Sequence, residues 1–590
     1  MPAMRRLCLA AALASVTFAL AVYAVGCSAD GQTTWFAKQD DKSAEAENVL
    51  DEKDPREESA GVRDTIKTVA WVEGLRRMSV GGYGLVVGLA KTGSSQCPRP
   101  IREYMLDDMR RRYRLGQAYK ALKRYSPERL LDSEETAVVT VYGEIPAAAQ
   151  VGATFDLTVR ALSGTDVSSL ENGWLMPCSL KLWANGQPVE GRILGEGMGQ
   201  VFINPFGLKK DAATKADPRV GRVIGGGRAT EARRIRLVLT NPSAAIASRL
   251  MRLINRRFGV EPRKTADAPD AHSVDLRIPE AWQGQEAHFL QLLVHLYVPA
   301  SPSFADLRLR ELCEEAVQPE AALADISLAW EGLGKTALPS IRKLYTHKEP
   351  GVSYFAGRTG LRLGDDLALS VVTRHANNAE SPFRELAIEE LGRTERTGQA
   401  ILALRPLLDA DDERIRQLAY EALLEQEDSS IQTLKVGGKG GFLLDLVPSR
   451  GGFLVAAQRS GQQRIALFGS GMRCQTPAFY VHRNGAVTLA ADAGAEKLKL
   501  VRQTPISGRM SPPIPCPTDV ACLVLTLGRR PPDVPEDKRQ GLGLSYAQVV
   551  EVLHDLCADK TIDATFAMRT DEVGQVAPGP TETARPESEL

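Results

Sequence analysis

The sequence predicts a multidomain α+β protein: a β-rich module over 62–300, a short α-helical repeat array over 301–430 and a small β-rich domain over 431–569. Three observations predict it. Ala137–Val141 is a run rich in β-branched residues, and Phe155–Val159, preceded by Gly152, alternates in polarity, both patterns of strands. Ala356, Ala387 and Ala419 lie 31 and 32 residues apart, each with an apolar residue four positions earlier, a period of stacked helical pairs. Finally, Phe442–Leu444, Phe453–Val455, Arg464–Phe468 and Ala478–Val481 are short apolar runs divided by Gly and Ser clusters.

The chain has 590 residues, enough for three or four domains. Its 73 basic and 73 acidic residues cancel, so no global charge draws it to nucleic acid. It opens with Arg5 and Arg6, followed by an uncharged run from Leu7 to Val25, the n-region and h-region of an export signal. The run ends Ala24-Val25-Gly26-Cys27, which resembles the lipobox of bacterial lipoproteins with Ala24 where a leucine is usual; the resemblance implies cleavage after Gly26 and lipid on Cys27. Residues 1–27 are thus expected to be a lipoprotein signal peptide, and 28–61, highly charged and poor in apolar residues, a flexible acidic tether. The Pro-, Thr- and Glu-rich stretch 570–590 is expected to be a disordered tail. Of nine cysteines, Cys8 leaves with the signal and Cys27 carries the lipid. The other seven show no metal-binding spacing, and at most one or two disulfides are expected.

Within 62–300 the order of elements is specific. Val69-Ala70-Trp71-Val72-Glu73-Gly74 leads to Gly82-Tyr83-Gly84-Leu85-Val86-Val87-Gly88-Leu89 and Thr92-Gly93. Strands follow at 137–141 and 155–159, then Leu180–Trp183 with Asn185-Gly186, a two-residue hairpin signal. Pro218-Arg219-Val220-Gly221-Arg222-Val223 comes next. Ile235–Leu239 and Asn241-Pro242 precede a helix from Ala244 to Arg257, with Ser243 as N-cap and Ile246, Leu250, Leu253 and Ile254 on one face. Val274–Pro279 closes the module. These ordered blocks resemble the flagellar basal-body P-ring protein family, with Pro177-Cys178 where that family has Thr-Pro. The chain departs from it in running some 290 residues further, in its lipobox, and in having only a faint echo of the family's terminal helix near 545–567.

The resemblance implies a structural subunit of a periplasmic ring around the flagellar rod, not an enzyme. The implied partners are copies of itself, the rod and the outer-membrane ring proteins, with peptidoglycan beside them and a membrane, the outer one favoured, reached through lipid on Cys27. The alternative is a lipid-anchored envelope scaffold that reuses the module in a non-flagellar complex. No catalytic, cofactor or metal residues are expected. Lys91-Thr92 lacks the preceding glycine of a phosphate loop, and Gly437–Gly441 lacks that loop's order, so it is read as a plain loop. His288 and His295 stand seven apart where zinc helices need four, and are read as structural or surface residues. Between Arg102 and Arg129 nine basic residues face four acidic ones; anionic cell-wall or lipid headgroups are one partner this stretch would attract, but it is read first as a solvated helix face or a contact with an acidic neighbouring subunit, and Asp107-Asp108 as solvated.

Overall fold

The computed structural model describes residues 63–89, 91–114, 125–184, 187–188, 191–204, 217–259, 264–299, 301–395, 397–438, 441–482, 487–503, 510–530 and 541–569. In chain order the first strands are β1 (Ala70–Glu73), β2 (Met78–Val87), β3 (Thr136–Ile145), β4 (Thr154–Ala161), β5 (Trp174–Ala184), β6 (Gln187–Pro188), β7 (Gly195–Gln200), β8 (Val220–Ala229) and β9 (Ile235–Leu239). The short β10 (Ala266–Asp267) and β11 (Ser273–Leu276) follow.

Strands β2-β3-β4-β8-β7-β5 pair antiparallel in that order, and β5 pairs back onto β2, so the sheet closes into a barrel with β6 appended. Closure removes the sheet's free edges. Alternation assigns the two faces. Val139, Val141, Leu157, Val159, Leu175 and Leu180 fill the interior and are all buried. On β2, Gly82 and Gly84 share the inward parity of Val80 and Val86. A Cβ on Gly82 would lie 2.3 Å from the Ser179 carbonyl oxygen, and one on Gly84 would lie 2.7 Å from a Leu175 methyl. Only glycine lets β2 and β5 approach closely enough to close so small a barrel. Outside, Leu85, Val138 and Met176 are covered by Met105 and Met109 of the helix Arg99–Arg114 and by Leu130 and Leu131 of Pro127–Leu131.

A second sheet, β1-β9-β11-β10, carries the helix Ala244–Phe258 on one face. The helix begins where the sequence indicates: the Ser243 hydroxyl accepts from the Ile246 N–H, and Leu250 and Ile254 are buried, with Ile246 and Leu253 packed at the margin. The helix Glu286–Val294 closes this layer.

From Pro302 to Glu425 the described residues are helical apart from turns. The helices Pro350–Arg362, Arg384–Gly392 and Glu413–Glu425 carry Ala356, Ala387 and Ala419, each fully buried where neighbouring helices meet. Beyond them β12 (Gln432–Val436), β13 (Phe442–Val447), β14 (Leu454–Gln458) and β15 (Arg464–Phe468) form a sheet. Strands β16 (Ala478–Val481), β17 (Val487–Ala491), β18 (Lys497–Arg502) and β19 (Ile514–Pro517) form another, and β20 (Thr565–Arg569) joins the first beside β14. The sheet with β14 and β15 is buried on both faces. Leu454, Ala456, Ala466 and Phe468 enter the helical core, whereas Val455, Ala457, Ile465 and Leu467 enter the C-terminal core with the helices Val520–Gly528 and Tyr546–Ala558. The helical array and the last β-rich region therefore share a sheet. No helix among the described residues is long and apolar enough to cross a membrane.

Candidate functional site

Cys27, the one site residue expected from sequence, lies outside the described residues, as do the leader, the tether and the tail. The other candidates resolve into structural roles. The Thr92 hydroxyl donates to the carbonyls of Leu89 and Ser169, each at 2.8 Å, and so staples two barrel loops. The Nε2 atom of His295 faces Asp325 at 3.2 Å, and its Nδ1 faces the Gln291 carbonyl at 2.7 Å. Asp107 is exposed, but Asp108 is not solvated as its setting in a charged helix suggests. It is 8% exposed and binds Arg111 and Arg112, with Arg112 donating onward to Ser179 at 2.6 Å on the barrel. One helical turn brings these side chains together, and the barrel wall excludes water from them. All seven described cysteines are free. Burial pushes the Cys178 thiol in the barrel up to about 12, and the Cys474 thiol in the C-terminal core likewise. No group of three or more metal-ligating side chains occurs among the described residues.

Two clusters could not be read from local sequence. The first lies where the helix Glu286–Val294 meets the helical array. His288 Nε2 is 2.9 Å from Glu331 and contacts Arg362, which pairs with Glu390; Arg358 approaches Glu390 at 3.5 Å. Burial acts to raise the Glu390 carboxyl, but the two arginines outweigh it and hold the group at about 2. Burial, helped by Arg362, keeps the His288 imidazole below its ordinary value. Four helices far apart in sequence supply these residues, so no spacing announces them.

The second cluster joins the barrel to the C-terminal region. Asp156 on β4 accepts from the N–H groups of Gly225 at 2.7 Å and Gly461 at 3.2 Å, and pairs with Arg222. A Cβ on Gly225 (φ +59°) would meet the Gly461 carbonyl oxygen at 2.6 Å. Phe202 and Ile224, both in the barrel module, are buried in the C-terminal core, where Phe202 packs 6.1 Å from the Tyr546 ring. This geometry holds surfaces in register; it offers no nucleophile beside a base.

The family model for the flagellar P-ring protein matches residues 65–305, the barrel and its neighbouring sheet. The chain is similar to the flagellar P-ring protein of Syntrophotalea carbinolica, 29% identical over 243 residues, covering 40% of this chain and 60% of that one. It is similar to flagellar P-ring protein 1 of Bradyrhizobium diazoefficiens, 29% identical over 250 residues, 41% and 62% of the two chains. It is 30% identical over 248 residues to the flagellar P-ring protein of Geotalea uraniireducens, 40% and 60%. The chain thus spans about three fifths of the length of the curated relatives it matches.

Proposed function

We propose that this chain is a structural subunit of a P-ring-like assembly of the flagellar basal body, a periplasmic ring of copies around the rod. The observation that carries the proposal is the family match over 65–305, which coincides with the closed barrel and the sheet beside it. A ring needs a heterologous interface that closes on itself, and a rigid barrel suits that task because it presents fixed surfaces without free strand edges. The role is architectural rather than catalytic, and the neighbours are the rod and the outer-membrane ring, with the wall peptidoglycan alongside. Lipid on Cys27 would hold each copy at a membrane, the outer one by preference. The helical array and the C-terminal β-rich region are accessories to the ring module.

The decisive experiment is cryo-electron tomography of cell envelopes with and without the gene, scored with motility. Loss of a periplasmic ring density together with loss of swimming supports the proposal. Intact rings and normal swimming reject it, and would leave an envelope scaffold that reuses the module. Labelling with palmitate tests the anchor: the label should enter the wild-type chain and be lost in Cys27→Ala.

A further inference from the structure

On the outer face of the barrel, β3, β4 and β5 surround an open pocket of about 360 Å³. Such a volume is at the small end of ligand pockets, about 300–1,000 Å³. Thr140 and Tyr142 come from β3, Arg160 and Ser163 from β4 and the turn after it, and Trp183 from β5. The indole of Trp183 packs against Gly81, where any Cβ would be 2.3 Å from its ring; a glycine on β2 is what seats this ring. The Arg160 guanidinium and the hydroxyls of Tyr142 and Ser163 have no hydrogen-bond or ion-pair partner among the described residues. The pocket therefore offers aromatic faces and an unpaired cation, and its side-chain donors outnumber its acceptors. A suitable ligand is a carboxylate carried beside an apolar ring.

One segment of this chain has that chemistry. Between 570 and 590 the sequence holds Pro578-Gly579-Pro580-Thr581-Glu582 and Pro586-Glu587, with five acidic residues against Arg585. Prolines present rigid apolar rings, and proline-rich segments in a preformed extended helix dock on aromatic-lined grooves at low entropic cost. We infer that the Pro/Glu segment 578–587 docks in this pocket, a proline on Trp183 and Tyr142 and a glutamate on Arg160. The segment begins nine residues beyond Arg569 and ends eighteen beyond it, so at ~3.1 Å each it reaches roughly 30–55 Å from the end of β20. The inference stands apart from the flagellar reading, since it concerns a surface present in the isolated chain.

The test places the photo-crosslinker p-benzoylphenylalanine at Ser163 of the purified full-length protein and maps the products by mass spectrometry. Crosslinks to peptides from 571–590 are expected. Arg160→Glu should lower their yield several-fold, and Glu582→Arg with Glu587→Arg in that background should restore it. Crosslinks confined to other segments, or a yield indifferent to Arg160→Glu, overturn the inference. Mixing ¹⁵N-labelled and unlabelled copies then tells own-tail docking from exchange between copies. A circular dichroism spectrum matching wild type guards against a variant that merely misfolds.

Discussion

Glu390 is 5% exposed and faces two arginines, and its chemistry follows from that setting. A buried ion pair contributes little net stability when intact, yet removing one partner strands the other charge. Glu390→Gln should therefore cost roughly 3–5 kcal/mol, read as a fall in melting temperature. Its carboxyl sits at about 2, below the ordinary glutamate value of 4.5, so its contribution is fully present above about 4.5 and disappears as pH falls toward about 2. His288 works in the same direction for a different reason. Its folded-state value is lowered below 6.5, so the unfolded chain takes up the proton first and stability falls as pH drops through 6.5. Melting temperatures at pH 7 and pH 5 should differ, and His288→Gln should shrink that difference. His375, also lowered by burial, would supply part of what remains.

At the scale of elements, the helix Ala244–Phe258 and strand β2 make opposite cases. The helix announces itself locally through a capping serine, an apolar face of period 3.6 and a glycine after its end. Ser243→Ala should cost about 1 kcal/mol, measurable by thermal unfolding. Strand β2 shows its glycines openly in the sequence, but their purpose is not local. Gly82 is needed because β5, nearly a hundred residues later, passes 2.3 Å from where its Cβ would be. Gly82→Val should push β5 off β2, at a cost of about 3 kcal/mol or more. Limited proteolysis should then cut the barrel first, whereas Gly88→Ala meets no atom within 4 Å and strains only its positive φ.

For the whole molecule, the question is whether its parts melt together. Phe202 lies 3% exposed inside the C-terminal core although it belongs to the barrel module. Phe202→Ala should cost about 3–5 kcal/mol and should loosen the coupling. In calorimetry a single broad transition should separate into two. An unchanged single transition would mean that the Asp156 bridge suffices to couple barrel and C-terminal region without it. For the proposed ring the same coupling bears on assembly, because a barrel clamped to the C-terminal region would leave only its remaining surfaces for neighbouring copies.

Strand alternation, the helix with its serine cap, the period of the buried alanines and the family resemblance were all legible in the residues. Each depends on neighbours within a few positions or on an ordered string of motifs, and such information is written along the chain. The Asp108–Arg112–Ser179 contact, the His288–Arg362–Glu390 network, the insertion of Phe202 and the pocket beside Trp183 were not legible. They join residues 67, 102, and in the case of Phe202 and Tyr546 more than 300 positions apart. The sequence by itself determined which segments become strands and helices and which family the first half resembles, because local sterics and burial patterns decide those. Which faces meet, which charges lose their water and which glycines have no room for a side chain were settled only when distant segments packed, because desolvation and close contact are properties of the folded chain.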